Sequence, residues 1–145
     1  MGIDKMEERK EILIEYWKSY SEQANELTSK RQTTNSIYLT LQIALLGFSV
    51  TYMHIVGIII SSIGLVINLV WLLTVISLRK LNSTKFELIN KMEDEIGLDI
   101  RPYKEEWNVI SNQKYIKLTF LELMLIIILA LMFIASLIIS IISYF

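Results

Sequence analysis

Apolar positions follow two different rules along this chain. In residues 4–35 and 79–96 they recur at three-four spacing among polar ones. Leu13, Trp17, Tyr20, Ala24 and Leu27 fall on one helix face, and Phe86, Ile89, Met92 and Ile96 on another. Residues 36–78 and 118–145 are instead apolar over most of the helix circumference, with an unbroken run from Leu123. As one helix, 36–78 would extend roughly 65 Å, about twice the thickness of a bilayer's hydrocarbon core. A hairpin of two spans uses that length, one near 36–53 and one near 57–78, turning at Tyr52 to Gly57 where an aromatic, the single His and a Gly cluster. Gly97 is a helix stop, Pro102 enforces a break, and a short helix around 103–110 leads into the third span. The pattern predicts an all-α membrane protein. It has a cytosolic amphipathic helix over 1–35, a transmembrane hairpin over 36–78, a cytosolic helix-turn-helix over 79–117 and a third transmembrane helix over 118–145. Extensions of the spans pack their apolar stripes together as a cytosolic helical bundle.

Charge sets the orientation. All 14 Lys and Arg lie at or before residue 31 or between 79 and 117, and no charged residue stands between Gln32 and Leu78. The positive-inside rule therefore puts the N-terminus in the cytosol and the C-terminus outside, as a multi-pass protein of a cytoplasmic (inner) membrane. The first apolar span begins after some 35 residues, which is not the layout of a cleavable signal peptide. Gly2 is followed at position 6 by Met, so the myristoylation motif fails. A net charge of −1 carries no broad footprint for nucleic acid.

Little of the chain points to catalysis. With no Cys and one His there is neither a disulfide framework nor a metal-ligand set around His54. There is no nucleophile–base pair and no phosphate-cradling Gly loop, so the expectation is a non-enzyme without cofactor or metal. The Glu93-Asp94-Glu95 run reads as a solvated face. The first span carries a seam of small or polar residues, Ser36, Thr40, Ala44, Gly47 and Thr51; the second carries Gly57, Ser61, Gly64 and Asn68, then Trp71. Each seam serves packing within the hairpin, or faces a neighbouring subunit or a narrow pore. Gln42 and Asn68 are amides at membrane depth and should face protein or water. Glu122 stands at the cytosolic end of the third span, where Lys117 or Arg79 is the expected partner and gating the functional alternative. Arg31 and Asn35 sit at the first membrane boundary. Trp17 and Trp107, with Tyr16 and Tyr20, either pack the bundle or anchor a partner protein.

The stretch Trp17-x2-Tyr20, Ala24-Asn25, Arg31-x3-Asn35 and Ile37-Tyr38-Leu39 resembles the opening of a family of bacterial small integral membrane proteins, 8xMP. So do Leu81-Asn82-Ser83-x-Lys85-Phe86, Glu93, Pro102-Tyr103, Glu106-Trp107 and Tyr115-x2-Leu118-Thr119-x2-Glu122, and the resemblance covers residues 16–125. It is similar in architecture to the two-span SLATT effectors of bacterial defence islands, from which the third span departs. The resemblance implies a homo-oligomeric membrane effector, pore-forming or depolarising in antiphage defence, with a cytosolic sensor or signalling protein as partner. The alternative is a non-pore membrane anchor or adaptor for a cytosolic protein. It also implies a role for Glu122, which coincides with the family's Glu.

Overall fold

The computed structural model describes residues 2–52, 54–97, 101–111 and 118–145. They form four helices: α1 Gly2–Thr51, α2 Ile55–Ile96, α3 Pro102–Ser111 and α4 Leu118–Tyr144. No Pro interrupts α1 or α2, so each runs on through the change from amphipathic to apolar sequence. The turn between them is tighter than the sequence suggests. α2 begins at Ile55 rather than at Gly57, because His54 takes the positive φ (74°) that ends the turn and its carbonyl receives the Ile58 N–H at 3.0 Å. Gly57 is thereby a helical residue. At the other end of α2, Gly97 takes a φ of 70° and its N–H bonds the Glu93 carbonyl, a left-handed stop. Pro102 opens α3, where its missing N–H costs nothing.

The chain divides into two compact units: Met1–Lys30 with Leu78–Tyr115, and Arg31–Ser77 with Ile116–Phe145. In the first unit, the amphipathic parts of α1 and α2 bury Ala24, Ile89 and Ile96. Tyr103 of α3 packs its ring edge-on to Trp17 (6.1 Å between centroids) and tilted on Phe86 (5.7 Å). Lys85 donates to Gln23 Oε1 at 2.6 Å and lies over the Tyr20 ring. The acidic run divides: Asp94 and Glu95 are exposed, but Glu93 is fully buried. This corrects the solvated-face reading. Glu93 follows Ile89 by four residues and precedes Ile96 by three, so the helix period turns it inward. Its Oε1 accepts the Tyr103 N–H at 3.4 Å, at the start of α3.

In the second unit, α1, α2 and α4 pack around Trp71, Val75, Ile126 and Leu129, with Tyr38 stacked on Trp71 at 5.8 Å. Among the described residues, two helices are long and apolar enough to cross a membrane, α2 and α4. Only 28% of the apolar window of each is buried, so most of their Ile, Leu and Val side chains point away from the protein. A core helix of a soluble protein would hide them.

Candidate functional site

The second unit contains a buried charge pair. Arg31 and Asn35 are one turn apart on α1, and Thr119 and Glu122, three residues apart near the start of α4, share one face of that helix. Arg31 Nη2 donates to Glu122 Oε2 and, at 2.9 Å, to Thr119 Oγ1. Asn35 Nδ2 donates to the second carboxylate oxygen, Oε1, at 2.5 Å. Asn35 Oδ1 in turn accepts the indole N–H of Trp71, from α2, at 2.9 Å. Five side chains from three helices thus form one connected clasp, with Arg31 and Glu122 each about nine-tenths buried. Arg31 Nε makes no hydrogen bond. The sequence expectation of Lys117 or Arg79 as partner is corrected for Arg79, which is exposed, and Lys117 lies outside the described residues. The helix period explains the choice: a basic residue one turn before Asn35 reaches the carboxylate together with that amide, and sequence spacing alone does not show which helices meet.

Below the clasp runs a series of polar contacts, all within the unit. Asn68 Nδ2 donates to the Ile126 carbonyl at 3.3 Å, and Gln42 Nε2 to the Gly64 carbonyl at 3.2 Å. Gly64 lies under the Phe133 ring, which a Cβ would overlap. The Ser136 hydroxyl lies 3.0 Å from that of Ser49, which itself donates to the Leu46 carbonyl, and accepts from Ser61 at 3.3 Å. Gly57 permits close approach of α4, since its Cβ would fall 2.5 Å from Ser140 Oγ. At the far end His54 Nδ1 lies 2.9 Å from the Ser143 carbonyl, as a hydrogen-bonding group.

The two seams predicted from sequence behave differently. Gly57, Ser61, Gly64 and Asn68 are buried against α1 and α4. Ser36, Thr40, Gly47 and Thr51 are exposed on the opposite side of α1. That half of the hairpin-packing expectation is corrected: it is Gln42 and Ser49 that α1 turns inward, and they are buried completely. Ser49, Ser136 and Ser140 are buried polar positions that the seam pattern does not reach; the one-turn spacing of Ser136 and Ser140, in register with Phe133, is the signal the sequence holds for the last two. Trp17 is half-buried in the first unit with its indole N–H unpartnered, while the Trp107 side chain lies outside the described residues. No group of residues suited to a metal ion occurs among the described residues.

One comparison identifies relatives. Residues 14–142 match the model of the octameric membrane protein family, 8xMP. No curated protein and no solved structure matches the chain significantly.

Proposed function

Because the chain belongs to the octameric membrane protein family 8xMP, whose name denotes oligomeric membrane proteins, we propose that it is a homo-oligomeric bacterial membrane effector. Its first unit receives a cytosolic signal, and its membrane assembly responds by letting ions through. In this reading the apolar parts of α1, α2 and α4 make three crossings of the inner membrane, with the N-terminus inside. The basic residues flanking them support that orientation: Lys30 and Arg31 before the first, Arg79 and Lys80 after the second. The protein acts by conduction, with no catalytic step. A role in antiphage defence follows the likeness to SLATT effectors.

The observation that carries this reading is the Arg31–Glu122 clasp. Two charges withdrawn from water add little net stability over apolar side chains of the same volume, whereas losing one of them costs about 3–5 kcal/mol. Such a pair, joining α1 to α4 and through Asn35 to α2, suits an element with two states better than passive scaffolding. Glu122→Gln should release the clasp and lower the threshold for leakage. The measurement is membrane potential in cells carrying the protein with its genomic neighbours, before and after triggering. An unchanged potential in the wild type and in Glu122→Gln under every trigger would reject an ion-conducting effector.

One observation favours the adaptor alternative. Met6, Ile12 and Tyr16 are exposed on α1 within the first unit, a surface suited to a protein partner. Stoichiometric co-purification of such a partner, lost in Tyr16→Glu and accompanied by no leakage, would replace the effector reading.

A further inference from the structure

Among the described residues of the first unit, five side chains bury a polar atom that has no hydrogen-bond partner. They are Trp17 Nε1 and Ser21 Oγ on α1, and Asn82 Oδ1, Asn90 Oδ1 and Glu93 Oε2 on α2. A buried polar group left unpaired carries its full desolvation cost. Glu93 is the extreme case. It is fully buried, no Lys or Arg among the described residues pairs with it, and its hydrogen bond from the Tyr103 N–H is long, at 3.4 Å. A carboxylate withdrawn from water needs a cation or a full set of donors beside it. Asn90 stands one turn before Glu93 on α2, so two unpaired acceptors are neighbours.

Tyr103 of α3 is the residue docked at this place. Its N–H takes one carboxylate oxygen, and its ring packs on Trp17 and Phe86, 6.1 and 5.7 Å between centroids. It leaves the second oxygen and the Trp17 indole N–H unused. The rest of α3 is held lightly. Among its described side chains Tyr103 is the one that is not exposed. Arg101 and Lys104 both pair with Asp94, in solvent-accessible ion pairs of the kind that contribute little. A helix of 10 residues does not persist alone in water, so docking is what forms it.

We infer that Trp17, Phe86, Asn90 and Glu93 form a socket for an arginine side chain of a cytosolic partner protein, and that Tyr103 is the displaceable plug in it. A guanidinium meets each feature left open. Its charge answers Glu93, and its planar fork of N–H donors reaches two acceptors one turn apart, as a point-like ammonium does not. Its flat face stacks on the rings that Tyr103 vacates. The backbone carbonyl that arrives with it supplies an acceptor for the Trp17 N–H. Glu105 and Glu106, exposed within one turn of Tyr103, draw a basic segment toward the place. The inference rests on the reading that the first unit receives a cytosolic signal, and it names the point of reception.

The test uses the full chain in nanodiscs and two blocked tripeptides, Gly-Arg-Gly and its citrulline counterpart, which keeps the shape and loses the charge. Tyr103→Ala should bind the arginine peptide about tenfold more tightly than wild type does, and about tenfold more tightly than it binds the citrulline peptide. Adding Glu93→Gln, which keeps an oxygen for the backbone N–H of position 103, should erase that preference. Arg101→Gln with Lys104→Gln loosens α3 without touching the socket, and should also raise affinity, with faster amide exchange in α3. Exchange over residues 13–27 and 82–96 reports whether α1 and α2 stay packed. Equal binding of the two peptides by the opened variants, or none, overturns the inference, and so does an arginine preference that survives Glu93→Gln. Loss of α1–α2 protection in Tyr103→Ala, with no gain in the Arg101→Gln, Lys104→Gln variant, overturns it as well and makes Tyr103 an ordinary core residue. Self-association of the opened variants in place of peptide binding overturns it in favour of a second copy as occupant. Triggered leakage that proceeds in Glu93→Gln as in wild type rejects the socket as receiver while conduction stands. Peptide binding in the expected pattern, with membrane potential unchanged under every trigger, rejects the effector reading and leaves the socket in place.

Discussion

Residue-level chemistry separates the polar groups of the second unit into those that define its packing and those that hold charge. Gly64 belongs to the first kind. Gly64→Ala places a methyl group in the Phe133 ring and should cost about 1–3 kcal/mol by overpacking; pairing it with Phe133→Leu should recover part of that loss. Ile59→Leu, on the exposed side of the same helix, should cost less than about 0.5 kcal/mol. Steric-trap or denaturant unfolding in micelles measures both. Glu122 belongs to the second kind. Glu122→Ala leaves Arg31 buried without its anion and should destabilise by about 3–5 kcal/mol, whereas Arg31→Met with Glu122→Leu should lie close to wild type. Equal destabilisation by the single and double replacements would show that the pair is worth its full coulombic attraction. Trp71→Phe keeps the stacking on Tyr38 and loses the bond to Asn35, for about 0.5–1 kcal/mol.

Helix-level features explain what was legible in the sequence. The apolar stripes at Leu13 to Leu27 and Phe86 to Ile96 point inward as their period requires, because one face of each helix is all that needs a partner. Gly97 and Pro102 bound α2 and α3 for backbone reasons that no tertiary contact overrides. Gly97→Ala forces a left-handed residue to carry a Cβ and should cost about 1 kcal/mol, read as earlier amide exchange at the end of α2. The burial of Glu93 was available from its place between Ile89 and Ile96 but was masked by its acidic neighbours. The direction of the α1 seam was not available at all. Small residues mark a face that something approaches closely, yet Gln42 and Ser49 compete for the interior from the opposite side of the same helix, and only the position of α4 decides between them. Likewise the charge pattern announces that Glu122 needs a cation; the partner depends on which helix ends meet.

On the scale of the whole molecule, the distribution of basic residues makes a prediction that the Cys-free sequence renders simple to check. A single Cys at Ser143 should react with a membrane-impermeant thiol reagent applied outside intact spheroplasts. One at exposed Thr84 should react only after permeabilisation. The reverse labelling would invert the topology and would move the first unit, with its exposed Tyr16, away from any cytosolic signal. The Arg31–Glu122 pair also has a consequence in time. Its members are 91 residues apart in the chain, so a ribosome releases the α1–α2 hairpin long before α4 exists. During that interval Arg31 lacks its carboxylate, Asn68 its Ile126 acceptor and Ser61 its Ser136 partner. An unfinished chain therefore presents polar groups that the finished one conceals. A chain terminated after Ser111 should be short-lived in a pulse-chase, and co-expressing α4 as a separate peptide should prolong its lifetime. Synthesis order makes the clasp a checkpoint on completeness, in which the last helix made certifies the first.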